Sequence, residues 1–201
     1  SKHIKSSSQD EKSSGKNPLL FWFPVTAWSK PTLCGKNLIT DRKVKHPGVA
    51  MKLYDRFAKV YAGGKYPNLS QEMAAVLPKV MKQYKIPAAG TKRLLDVACG
   101  EGSFAVEMAK KGWNVTGIDQ SEEMLRLAKH RAKKESVEVS FQNQDMRFID
   151  YASEFDLVTC WFDSLNYLIT NDDLQSAFNS ISRSLKPNGW LIFDMNTTYG
   201  L

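Results

Sequence analysis

One stretch constrains the fold more than any other: Leu94-Leu95-Asp96-Val97-Ala98-Cys99-Gly100-Glu101-Gly102-Ser103-Phe104, followed by Val115-Thr116-Gly117-Ile118-Asp119. An apolar run enters a glycine-rich turn, a helical pattern follows, and a second apolar run ends on a carboxylate. That is the strand–loop–helix–strand layout of a nucleotide-type cofactor site. The alternation continues along the chain. Short apolar runs predict strands over 93–98, 113–118, 137–141, 155–161 and 189–195, and amphipathic spacing predicts helices over 103–111, 121–134 and 172–185. Strands that alternate with helices need crossover connections, so the expected class is α/β: a Rossmann-like, doubly wound, mostly parallel sheet with helices on both faces.

The helix ends carry their own signals. Ser121 followed by Glu122 and Glu123 places a capping hydroxyl and two negative charges where the helix dipole is positive, and Asn171-Asp172-Asp173 repeats the device. Lys186-Pro187-Asn188-Gly189 stops the last helix and turns the chain into the strand Trp190 to Met195. Upstream, Leu53, Tyr54, Phe57, Ala58, Val60 and Tyr61 predict a short helix that ends at Gly63-Gly64. Ser70 is the expected N-cap of a further helix bearing Met73, Val76, Leu77, Val80, Met81 and Tyr84, with a kink at Pro78.

The 201 residues are 42% hydrophobic and 24% charged, enough for one sizeable core. The net charge of +7 is uneven: residues 1–52 hold ten Lys and Arg against three Asp and Glu, and residues 53–201 hold eighteen of each. The expected division is a basic N-terminal extension over 1–47, disordered at its Ser- and Lys-rich start, and a cofactor-binding domain over 48–201. A neutral body argues against a phosphate-tracking groove, so nucleic acid is not the expected partner. No apolar run approaches the roughly 18 residues that span a bilayer, and Leu19 to Trp28 is interrupted by Pro24. Cys34, Cys99 and Cys160 suggest neither a disulfide framework nor a metal site, so a reducing, cytoplasmic setting without a membrane partner is expected. His3, His46 and His130 have no companion at metal spacing, and no metal is expected.

Gly100-Glu101-Gly102-Ser103-Phe104-Ala105 satisfies the permissive dinucleotide pattern, and Asp119 lies near the distance of an acid on a ribose. Asp96 shifts the reading. A carboxylate there would repel a pyrophosphate, whereas a cofactor that is cationic near the loop benefits from it. S-adenosylmethionine (SAM), with an ammonium, a sulfonium and no phosphate, is such a cofactor.

These residues resemble the class I SAM-dependent methyltransferases. The resemblance covers about residues 50–201, and LLDVACGEGSFAVEMAKKGWNVTGIDQSEEML is its most specific part. It implies strand order 3-2-1-4-5 and a set of roles. Asp96 would orient the loop or hold the cofactor's ammonium, while Ala98, Gly100 and Gly102 would let the backbone approach the methionyl part. Asp119 would accept from both ribose hydroxyls, and Gln120 and Met124 would border the adenine. Asp145 would receive the adenine amino group, with Met146 over the ring. The stretch Cys160 to Leu168 is similar to a pattern in small-molecule methyltransferases related to the aminosugar N-methyltransferases, and it adds Cys160 to the cofactor contacts. Tyr54 and Tyr61 match aromatics that close over the cofactor there, and with Trp161 and Phe162 they are candidates for cation–π support. Asp163 is the catalytic candidate, a carboxylate to orient the acceptor or receive its proton. The implied partner is a small-molecule acceptor with a nitrogen or oxygen nucleophile, and the implied assembly a monomer or homodimer.

Plainer readings stand beside these. Gly100 and Gly102 suit any tight strand-to-helix turn, Asp119 and Asp163 suit turn acids or caps, and Asp145 is one of many acids that follow strands. Tyr54 and Tyr61 suit helix-on-sheet packing. Cys99 lacks the cation that a reactive thiolate needs, and Cys160 suits strand-end packing.

The resembled family has a seven-strand sheet, whereas this sequence stops at Leu201, just past the fifth predicted strand. The expectation is a domain incomplete at its C-terminal side, without the usual antiparallel pair. The alternative is that Leu19 to Trp28 and Thr32 to Ile39 supply strands beside Trp190 to Met195 and cover its bare edge. Two other function classes stay open: an RNA or protein methyltransferase using the basic arm, and a SAM-binding homologue without activity. A nicotinamide oxidoreductase is disfavoured by Asp96.

Overall fold

A computed structural model describes residues 19–24, 64, 66–86 and 92–196. The chain runs β1 Leu19–Pro24, α1 Tyr66–Gln83, β2 Arg93–Val97, α2 Ser103–Lys110, β3 Asn114–Asp119, α3 Glu122–Lys134, β4 Ser140–Asn143, β5 Phe155–Cys160, α4 Asn171–Ser184 and β6 Leu185–Met195, with 3₁₀ turns at Met146–Phe148 and Ser164–Tyr167. The helix expected over 51–61, with Tyr54 and Tyr61, lies outside the described residues.

The strands form one six-stranded sheet ordered β1-β6-β5-β2-β3-β4. From β2 to β6 every pairing is parallel, and the five strands stand in the expected order 3-2-1-4-5. The sixth strand corrects the expectation of a bare edge. Leu19–Pro24 pairs antiparallel with β6, from Leu19 opposite Met195 to Pro24 opposite Trp190, so part of the N-terminal extension belongs to the sheet. Pro24, which cannot donate to a ladder, is tolerated on an edge strand. Thr32 to Ile39, the other segment considered for that edge, lies outside the described residues.

Side-chain alternation divides the core between the two faces of the sheet. Leu94, Val115, Leu157 and Ile192 pack in one cluster with Leu77 of α1, Phe104 and Met108 of α2 and Leu125 and Ala128 of α3. Their neighbours Leu95, Val97, Ile118, Val158, Leu191 and Phe193 pack in the other with Ile181 of α4. The period of two along each strand sends alternate residues to opposite faces, and both are covered, as a parallel sheet requires.

Three local expectations are revised. Helix α1 begins at Tyr66, so Ser70 is a buried interior residue rather than its cap. Proline at the second helical position, Pro67, costs little because the N–H it lacks would have no helical partner. Strand β4 begins at Ser140 rather than 137. The turn expected at 186–189 is a bulge against β5: Phe155 pairs with Leu185 and Leu157 with Trp190, so four residues of β6 stand opposite Asp156, whose carboxylate accepts from Lys186 Nζ at 2.9 and 3.0 Å.

Candidate cofactor site

The candidate site lies where β2, β3, β4 and β5 end. Beyond β2 the chain enters a tight loop with three left-handed residues, Ala98 (φ +55°), Gly100 (φ +53°) and Gly102 (φ +80°). The two glycines are needed for different reasons. A Cβ on Gly102 would come within 2.8 Å of Ala128 Cβ and 3.0 Å of Phe141 Cζ, so this position lets the loop close onto α3. A Cβ on Gly100 would meet nothing within 4 Å, so that backbone borders open space. Ala98 has no such freedom and holds a conformation that costs about 1–2 kcal/mol for a non-glycine residue.

Asp119, at the tip of β3, organises this loop. Its Oδ2 accepts the Gly100 N–H at 2.8 Å and its Oδ1 the Ser121 N–H at 2.9 Å, which fixes the carboxylate plane between the two strand tips. Ser121 in turn caps α3, accepting from the Met124 N–H at 3.2 Å. The Asn143 side chain donates to the Asp119 and Gln120 carbonyls at 3.2 and 2.8 Å, joining the end of β4 to the same corner. Met124 is buried at the start of α3 yet lies outside both hydrophobic clusters.

Asp96, expected as a carboxylate that orients the loop or holds an ammonium, lies inside the sheet. It is 2% exposed, opposite Gly117 on β3 and Thr159 on β5, and its Oδ1 accepts the Thr159 hydroxyl at 3.0 Å. Burial pushes its pKa up to about 8, with Asp119 and Glu101 adding to the rise against the pull of Thr159. The carboxyl is therefore largely protonated at neutral pH in the ligand-free chain, and the electrostatic case against a pyrophosphate moves from Asp96 to Asp119. Glu101 lies buried between the two loop glycines, ion-paired with Arg131 of α3, whose Nε also donates to the Glu101 carbonyl at 3.4 Å. Arg131 thus ties the loop to α3.

Asp145 and Met146 follow β4 as expected. Asp145 caps the turn Met146–Phe148, and both its oxygens are held by the Arg147 guanidinium, so the acid assigned to the adenine amino group has a strong internal partner. Met146 packs partly buried against the core, its carbonyl accepting the Ser180 hydroxyl at 2.8 Å.

Beyond β5 two candidate side chains lie in the core. The Cys160 side chain is wholly buried in the α4-side cluster, where burial pushes its thiol pKa well up, so this residue can reach a cofactor only through its backbone. Trp161 is buried edge-to-face on Phe104, ring centroids 5.4 Å apart, and belongs to the core rather than to a cation–π site. Phe162 and Asp163 are consecutive left-handed residues (φ +60° and +56°). The residue that holds them escaped the sequence reading: Asp194, near the end of β6, accepts the Phe162 N–H at 2.7 Å and the Asp163 N–H at 3.1 Å. Asp194 is 4% exposed, and burial pushes its pKa up to about 6 against the lowering effect of these amides. Asp163 Oδ2 accepts from Asn196 at 2.6 Å, while its Oδ1 is buried without a hydrogen-bond partner. An acid ending a strand, the signal that marked Asp119, was also present in Phe193-Asp194.

Among the described residues no group of three or more His, Cys, Asp or Glu could hold a metal ion. No described helix is long and apolar enough to cross a membrane. The donor set suits SAM: an anionic carboxylate at the tip of β3, open backbone at Gly100, and Arg131 already committed to Glu101.

Comparison with known proteins agrees. Residues 94–189 match a methyltransferase domain model. That segment is similar to methyltransferase domains. The "Putative methyltransferase YqeM" of Bacillus subtilis (strain 168) is 38% identical over 152 residues, 73% of this chain and 57% of that protein. A crystal structure of a SAM-dependent methyltransferase from Clostridium acetobutylicum ATCC 824 shares 30% identity and a TM-score of 0.62, covering 74% of this chain and 60% of that one. SAM-bound CalS10, an amino pentose methyltransferase from Micromonospora echinaspora, shares 25% identity and a TM-score of 0.54 over 79% of this chain and 60% of that one. The chain spans about half the length of the curated relatives it matches, 48% of one and 57% of another. The parallel sheet of this chain is similar to the Rossmann-like sheet of the Clostridium acetobutylicum enzyme.

Proposed function

We propose that this chain is the cofactor-binding part of a SAM-dependent methyltransferase that moves a methyl group to a nitrogen or oxygen of a small-molecule acceptor by in-line displacement. The observation that carries the reading is the Asp119 carboxylate, fixed by the amides of Gly100 and Ser121 beside open backbone at Gly100. A carboxylate has about four acceptor positions, so a plane set by two amides is compatible with receiving two ribose hydroxyls. Gly100 would let the methionyl part approach, Gln120 and Met124 would border the adenine, and Asp145 with Met146 would close its far edge. Tyr54 and Tyr61 remain candidates for covering the cofactor, and residues 48–201, with β1 docked on the sheet, are the proposed catalytic unit.

SAM would supply a methyl group on a sulfonium that is already a good leaving group. This chain would mainly align the acceptor and exclude water. Asp163 would receive the acceptor's proton or orient its nitrogen, supported by the buried Oδ1 that lacks a partner. A small acceptor is favoured by the amino pentose methyltransferase among the similar structures. A reducing cytoplasmic setting fits the free Cys99 and Cys160.

Replacing Asp119 with Ala removes charge-assisted acceptors worth about 1.5–3 kcal/mol each. Calorimetric affinity for SAM should fall about 100-fold or more in Asp119→Ala. An unchanged affinity would remove the assignment.

A further inference from the structure

Arg147 connects the turn after β4 to helix α4. Its Nε lies 3.0 Å from each Asp145 oxygen and its Nη2 2.5 Å from Oδ2, while its backbone N–H donates to Oδ1 at 2.9 Å. The other arm, Nη1, reaches Asp173 Oδ1 in the first turn of α4 at 2.7 Å. Ser180 braces the same turn, donating to the Met146 carbonyl at 2.8 Å and accepting from the Ile149 N–H at 3.1 Å.

The consequence is directional. A planar guanidinium matches a carboxylate edge in one geometry, so Asp145 cannot rotate without breaking several contacts at once. The Arg147 side chain is only 18% exposed, which limits screening of the pair. Oδ1 accepts from the amide and Nε, and Oδ2 from Nε and Nη2, so the carboxylate plane, and with it the direction of any further acceptance, is fixed. Without the strut to Asp173, the clamp would move with its own short turn.

We infer that Arg147 is a positioning residue for base recognition: by bracing Asp145 against Asp173 it fixes the acceptor that reads the adenine amino group, and so selects a 6-amino purine over a 6-oxo one. This inference rests on the SAM reading above. It assigns Arg147 no contact with the cofactor.

The test compares calorimetric binding of S-adenosylhomocysteine with that of its 6-oxo analogue, S-inosylhomocysteine. The wild-type chain should prefer the adenosine form about tenfold or more. In Arg147→Met the adenosine form should lose about tenfold while the inosine form changes little, collapsing the ratio. Arg147→Lys, which keeps the charge but not the fork, should recover part of the preference. Asp173→Asn should lower the ratio in the same direction, and it keeps the test decisive if Arg147→Met fails to fold by circular dichroism. An unchanged ratio in the folded variants, or tighter adenosine binding in Arg147→Met, would overturn the inference, the latter making the guanidinium a competitor for Asp145. Equal wild-type binding of both analogues would overturn this inference alone, whereas binding of neither would overturn the cofactor reading as well.

Discussion

At the residue scale the two loop glycines separate binding from stability. Gly102→Ala drives a Cβ into Ala128 and Phe141 at a left-handed position, so its melting temperature should fall markedly, by a cost of about 2 kcal/mol or more. Gly100→Ala meets no protein atom and carries only the strain of its φ, about 1 kcal/mol, yet its methyl enters the space proposed for the cofactor. Thermal melts and SAM titrations on both variants should show Gly102→Ala losing more stability, and Gly100→Ala losing affinity out of proportion to its stability. Asp96 adds a pH signature. Its folded pKa of about 8 lies above the ordinary carboxyl value near 4, so the unfolded chain releases a proton that the folded chain keeps. Its contribution to stability should decline as pH rises from about 4 to 8 and then level off. Asp96→Asn should lack that decline, so melts of the two proteins should diverge with rising pH; parallel curves would contradict the burial argument. The sequence identified Asp96 by spacing but not its protonation, because charge state depends on Thr159 and on strands distant along the chain.

At the element scale the parallel strands and the helices that cross between them were legible, because hydrophobic periodicity and caps are local. Ser121 caps α3 as expected, and Thr170 caps α4 just before the acids read as its start. What stayed hidden was made by neighbours in space. The start of β4 is set by pairing with Thr116, and the grip of Asp194 on Phe162 and Asp163 spans about thirty residues of sequence. That grip is testable. Two adjacent left-handed residues are costly, and their amides donate to one carboxylate. In Asp194→Asn the side-chain amide must face one backbone N–H, so hydrogen exchange at Phe162 and Asp163 should accelerate about tenfold, with β2 and β3 unchanged. Uniform acceleration across the sheet would instead make Asp194 a general stability residue.

At the scale of the whole molecule, composition indicates one body with a basic extension, and an antiparallel strand drawn from that extension is the alternative that the structure shows. Leu19–Pro24 carries no period-two signal of its own, being apolar throughout, so only the unpaired β6 edge hinted at its place. Positions set by neighbouring strand tips were legible, as for Asp119 beside Gly100. Side-chain direction was not, as the buried side chains of Cys160 and Trp161 show. The account depends on a cationic, phosphate-free adenosine ligand seated on the loop from Ala98 to Gly102. Calorimetric titration of the chain with SAM and with NAD tests this most directly: SAM should bind one to one and NAD should give no saturable heat, whereas saturable NAD binding, or no binding of SAM, would contradict it.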